Sequence, residues 1–297
     1  GLVMQGAPWL LTVVLLHQHF VNKVPPSECL RNAAAATLRF LRDWRSWLEV
    51  LRILVALKIC LTVYTHLKQE IPLLNPQLFD AELATIDRVL HAGFDMTRVL
   101  PALLTNPSVA RFVDASYAAW YFLKAPILLF FLFHPDRNRA RHFFTSYFLL
   151  WIVAGSFAIA VPSLGPVYVD GSAWEGLNIP TARGLQARLW EHYQEFLAAP
   201  ENYRAFQYEG IAAFPSLHVG CVVLYAAALW PWRWAFWLMT AYALLIQFGS
   251  VALGWHYAID GYFAAALAIG LFVAIPGRRP EKPPTPSAVL NDDPLIQ

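Results

Sequence analysis

The sequence predicts an all-α fold: a polytopic membrane helical bundle with a six-span core and amphipathic interfacial helices between the first and second spans. Three observations predict it. Of the 297 residues, 58% are hydrophobic and only 14% are charged, whereas soluble domains carry roughly 25% charged residues. The apolar residues are collected into long runs, and the mean hydropathy is +0.43. The 12 Trp and 12 Tyr suit a bilayer protein, because their amphipathic rings favour the membrane interface.

A crossing of the bilayer needs about 20 apolar residues. Six segments qualify: 47–66, 112–133, 142–163, 215–231, 234–254 and 256–276. The fourth is the shortest and ends at Pro231-Trp232. Long connections, 67–111 and 164–214, follow the first and third spans; the others are short. Within the first long connection, Leu78, Phe79, Leu83, Ile86, Leu90 and Phe94 recur at helical spacing, while Asp80, Glu82, Asp87 and Arg88 share the other face. This reads as one or two helices over Leu78 to Leu104, lying on the membrane surface or packed as solvated helices on the loop. The chain thus divides into an N-terminal apolar and basic segment (1–46), a catalytic six-span domain (47–276) and a Pro-rich tail expected to be disordered (277–297). The first twenty residues suit an interfacial helix or an extra span. They lack a basic n-region and a small-residue cleavage site, so no signal peptide is expected.

Charge sets the orientation. Six spans put Lys23, Arg31, Arg39, Arg42 and Arg45 on the same side as Arg137, Arg139, Arg141, Arg233, Arg278, Arg279 and Lys282. The positive-inside rule then places both long connections outside the cytoplasm. That means the periplasmic face of a bacterial inner membrane, or the Golgi or ER lumen in a eukaryote. A net charge of +2 implies no nucleic-acid partner. Cys29, Cys60 and Cys221 form no framework and are expected to be free thiols.

Polar, titratable groups stand where spans meet the outer surface. In Ala213-Phe214-Pro215-Ser216-Leu217-His218, a helix starts with Pro in its first turn and a cap-type Ser. The free amides and dipole of such a start suit a phosphate, with Ser216 as an added donor and His218 within one turn. Plain helix capping also accounts for Pro215 and Ser216. At the sixth span, His256 and Asp260 are four residues apart and so share a helix face. A carboxylate there fixes the imidazole tautomer and raises its basicity, leaving the other ring nitrogen free to attack phosphorus or bind a metal. Lys58 and Lys124 lie inside spans, either marking a transport path or snorkelling and pairing with a carboxylate such as Asp114. His17 and His19 have a poor metal spacing for a helix. Glu191 and His192 read as a solvated face. No Gly-rich phosphate loop, HExxH or GxSxG pattern occurs.

Pro215-Ser216-Leu217-His218 followed by His256-Tyr257-Ala258-Ile259-Asp260 resembles the paired motifs of the type 2 phosphatidic acid phosphatase (PAP2) superfamily. The longer string through Gly220 and Cys221, with His256-Tyr257 and the acidic stretch Asp80 to Asp95, looks closest to the inositolphosphotransferase branch, which includes inositol phosphorylceramide synthase. The layout similarity covers roughly residues 75–275. The resemblance implies His256 as a nucleophile forming a phosphohistidine, Asp260 positioning it, and His218 as general acid and then base. It implies Ser216 as a phosphate contact, a lipid substrate, and neither metal nor cofactor. It sets no oligomeric state. Two departures stand out. The family's Ser-Arg before the second histidine is Gly249-Ser250 here, and its Lys-and-Arg-Pro motif is replaced by Val161-Pro162-Ser163-Leu164-Gly165-Pro166-Val167-Tyr168. A monoester, with nearly two charges, would miss those cations more than a diester, which favours headgroup transfer over phosphate removal. Arg183, Arg188 and Arg204 are candidate substitutes. The competing readings are a lipid phosphate phosphatase, a lipid transporter built on Lys58 and Lys124, and a two-His, one-carboxylate metal site at His218, His256 and Asp260.

Overall fold

The computed structural model describes residues 41–202 and 209–276; the expectations for 1–40, 203–208 and the tail from 277, including those on His17, His19, Cys29 and Arg204, lie outside the described residues. The described chain is helical: α1 (Trp44–Leu74), α2 (Asp80–Leu90), α3 (Met96–Ala102), α4 (Pro107–Ala118), α5 (Trp120–Leu132), α6 (Arg137–Ala160), the single turn α7 (Pro166–Val169), α8 (Pro180–Ala198), α9 (Leu217–Ala228), α10 (Arg233–Ala252) and α11 (Ala258–Ala274).

Among the described residues three stretches are long and apolar enough to cross a membrane: Pro107–Leu132, which is α4 and α5 end to end, Arg137–Ala160 and Arg233–Ala252. The segments expected as fourth and sixth spans form shorter apolar helices, Leu217–Ala228 and Ala258–Ala274. Twelve residues rise only about 18 Å, so α9 falls short of the 215–231 span the sequence suggests. Its start is set by the extended Ser216 and its end by the turn before Trp232. α9 is the central helix. It packs on α11, α10 and α6, while α1 lies on α6 and α4 on α10. Cys221, Val222, Leu224 and Tyr225 are accordingly all but sealed from solvent.

The two ends of the bundle differ. At one end, Arg137 and Arg141 at the start of α6 both pair with Glu49 of α1, at 3.0 and 2.7 Å. At the other end, loops and short helices close over the C-termini of α6 and α10. The connection 164–214, read from sequence as a long loop, contains the 19-residue α8. Asp114 of α4 accepts the Thr181 and Ala182 amides at 2.8 Å each, which anchors that helix's first turn. Gln186 and Trp174 donate to the carbonyls of Leu253 and Ala252, tying the same region to the end of α10.

The amphipathic reading of α2 is inverted in part. Asp80 and Asp87 turn inward and are buried, whereas Ile86, Val89, Leu90 and Phe94 are exposed. The physical reason is the need to satisfy loop and helix-start amides. Asp80 accepts from the Leu164 and Gly165 amides, at 3.0 and 2.9 Å, and Asp87 from the Ala258 and Ile259 amides at 2.7 Å each. A buried donor left without an acceptor costs about 1–3 kcal/mol.

Candidate active site

The site forms where α9 and α11 begin. Gly254 ends the turn after α10 at φ +83°, a left-handed conformation suited to glycine. A Cβ there would also stand 2.8 Å from Val167 and 2.9 Å from Trp174. Beyond that turn, the Trp255 and His256 amides donate to the Ser250 carbonyl at 2.9 and 3.1 Å, fixing the backbone just before α11. His256 Nδ1 then meets Asp260 Oδ2 at 3.3 Å, one helical turn on. The same Oδ2 accepts the Tyr257 amide at 3.1 Å. Asp87 holds the next two amides, so the helix start carrying His256 is clamped by two carboxylates. Burial raises the Asp87 carboxyl above its ordinary value, and the two amide bonds oppose that rise.

α9 begins opposite. The Ser216 amide donates to the Asp260 carbonyl oxygen at 3.1 Å, joining the two helix starts directly. The Phe214 amide donates to Ser163 Oγ, and the Ala213 amide to the Ser163 carbonyl, both at 2.9 Å. Thus the Val161–Tyr168 segment, which lacks the family's cations, instead positions the approach to His218. Ser216 occupies the N-cap position, but its hydroxyl makes no capping bond and is buried without a partner. The sequence's capping expectation for that hydroxyl is therefore not met, because the side chain points into packed protein.

His218 is packed among aromatic rings. Tyr117 stacks on it with centroids 4.9 Å apart, Trp120 lies at 4.3 Å, and Tyr121 approaches edge-on at 5.9 Å. Its Nε2 has no hydrogen-bond partner. The His218 and His256 ring centroids are 6.4 Å apart. Both rings line one cavity of about 700 Å³, bounded by α1, by α4 and α5, by α8 and by the 209–215 segment. Ser216 is not among the lining residues, although Pro215 and Leu217 are.

Two facing imidazoles, one held by a carboxylate, can supply a nucleophilic nitrogen and a proton carrier to a group between them. Sharing one metal ion is a different demand. Among the described residues no three His, Cys, Asp or Glu side chains are placed to do so, since Asp260 is already engaged on the Nδ1 side of His256.

A family model, the PAP2 superfamily, matches residues 81–274, nearly two thirds of the chain. The chain belongs to the PAP2 superfamily. It is a PAP2-type phosphatase or phosphotransferase, and its long apolar helices make it an integral membrane protein. Searches of curated proteins and of solved structures return no match.

This PAP2 protein fills the positions of the family's Ser-Arg pair with packing. A Cβ at Gly249 would lie 3.3 Å from the Tyr117 ring, and Ser250 is fully buried, donating its hydroxyl to the Gln247 carbonyl at 2.7 Å. Of the arginines offered as substitutes, the two among the described residues are engaged elsewhere. Arg183 donates to the Trp174 and Leu177 carbonyls at 3.0 Å each, and Arg188 pairs with Glu209 at 3.1 Å. Glu191 is exposed, and His192 Nδ1 accepts the Glu209 amide at 3.3 Å. Lys58 is exposed on α1 and does not line the cavity. The suggested pairing of Lys124 with Asp114 does not form, because Asp114 is occupied by the start of α8. Lys124 lines the cavity, and so does Lys68, which the sequence reading passed over because it lies just beyond the apolar run 47–66.

Proposed function

We propose that the protein is a membrane enzyme transferring a phosphate-containing headgroup from a lipid donor to an alcohol acceptor through a phosphohistidine on His256. The observation carrying this reading is the arrangement at the cavity: His256 tied to Asp260 at 3.3 Å, with His218 across a 6.4 Å gap between ring centroids. Asp260 accepts the Nδ1–H of His256, which leaves the Nε2 lone pair for attack. Nε2 forms the N–P bond while the P–O bond to the leaving alcohol breaks, and His218 gives that alcohol its proton. In the second half, His218 removes the acceptor's hydroxyl proton. The acceptor oxygen then bonds phosphorus and the N–P bond breaks, returning His256. The start of α9, which carries His218, offers first-turn amides with no partner inside the helix to the developing charge, while the buried Ser216 hydroxyl stays outside the cavity.

Transfer over hydrolysis is supported by the Ala213–Cys221 string, which resembles the inositolphosphotransferase branch, and by the absence of a guanidinium at the family's arginine position. A phosphodiester, with one charge, tolerates that absence better than a monoester. The site lies on the non-cytoplasmic face of a six-span core over 47–276, an assignment supported by the cluster of Arg137, Arg141 and Glu49 at the opposite end. The exposed apolar side of α2, with Phe94 beyond it, rests in the membrane interface. The test is to incubate purified protein with a defined phospholipid panel and identify both products by mass spectrometry. A new phospholipid together with a released alcohol is the expected pair. Inorganic phosphate as the main product would replace transfer with hydrolysis.

A further inference from the structure

Resting on the reading of this cavity as a phosphate site, the geometry points to Lys68 and Lys124 as the cations that hold the substrate's phosphate group. The family's arginine position before the second histidine is closed here, because Ser250 is buried and bonded to the Gln247 carbonyl. Arg183 is spent on carbonyls and Arg188 on Glu209. Yet the cavity holding His218 and His256 is lined by two lysines, one on α1 and one on α5.

Lys124 Nζ lies 4.9 Å from the Trp120 ring centroid and 5.2 Å from that of Tyr121, the two rings that also flank His218. A single aromatic layer therefore joins the ammonium to the imidazole, and no carboxylate among the described residues ion-pairs with it. Lys68 lines the same cavity from α1, its backbone against Gly210, in the segment that runs into Pro215 and His218. Glu209 shares that wall but is paired with Arg188 at 3.1 Å. Among the described residues neither lysine is ion-paired with a carboxylate, so both are open to an anion in this largely apolar cavity, and each carries a multi-donor head suited to phosphate oxygens.

The experiment uses the purified full chain and orthovanadate as the phosphate-like probe, read by the fluorescence of Trp120 and Trp255 beside the histidines. Lys68→Met and Lys124→Met should each weaken orthovanadate binding about tenfold or more, and Lys68→Arg and Lys124→Arg should recover most of it. Lys58→Met, outside the cavity, should bind as the wild type does. Gel-filtration and thermal-unfolding profiles identify any Met variant that fails to fold, in which case the Arg variants and Lys→Gln replacements decide. Wild-type affinity in folded Met or Gln variants would overturn the lysine assignment alone. No binding by the wild-type protein would overturn the phosphate site and the lysine assignment together.

Discussion

At the start of α11 the backbone amides and Asp260 Oδ2 are engaged, with Asp260 Oδ1 left unpartnered; at the start of α9 the polar side chains are left open. Asp87 and Asp260 between them take the Tyr257, Ala258 and Ile259 amides, and Asp260 also takes His256. At α9 the Ser216 hydroxyl and His218 Nε2 have no partner, and the first-turn amides have none inside the helix. The contrast separates two tasks. A nucleophile gains from a fixed ring and tautomer, which the engaged end provides. A proton carrier and anion cradle must exchange partners during turnover, which requires vacant sites. The Ser216 to Asp260 backbone bond at 3.1 Å keeps the two ends in register.

Mutations that break this contrast should differ in size. His256→Ala removes the attacking atom and should lower turnover of a phospholipid substrate by roughly a thousandfold or more, with the folded protein retained by gel filtration. Asp260→Asn keeps the shape but loses the charge that orients the ring, and the expected loss in kcat is on the order of a hundredfold. Its KM should change little. Asp87→Asn touches neither histidine. It weakens the clamp on α11 and should cost about 1–3 kcal/mol in thermal or denaturant unfolding. Ser216→Ala is the sharpest structural control. A working N-cap serine is worth about 1 kcal/mol, but this hydroxyl makes no cap bond, so its removal should change stability by less than about 0.5 kcal/mol. A full capping loss in Ser216→Ala would show that α9 is served much as α11 is.

The two histidine motifs were legible from the four-residue spacing of His256 and Asp260 and from Pro215-Ser216 as a helix-start signal. His256 nonetheless precedes the N-cap Tyr257 and meets Asp260 at the helix start rather than on a shared helix face. That the two starts face each other was not legible, since it depends on α9 and α11 packing side by side. α8 escaped notice because its apolar content is modest and its first turn depends on Asp114, 67 residues earlier in the chain. Asp80 and Asp87 were read as a wetted face because a polar stripe normally faces water. Here their acceptors are required inside by loop and helix-start amides, and the apolar side of α2 is left outward. Lys68 stood beyond the end of an apolar run and carried no motif, so only the shared cavity brings it to the histidines.

The central claim is covalent catalysis at His256. Wild-type protein mixed briefly with a phospholipid labelled at phosphorus, quenched under alkaline conditions and mapped by mass spectrometry should carry the labelled group on His256. The adduct should accumulate in His218→Ala when the lipid carries a leaving group that needs no protonation. Product formation by the wild type with no label on His256 at any time, or undiminished turnover by His256→Ala, would contradict the account.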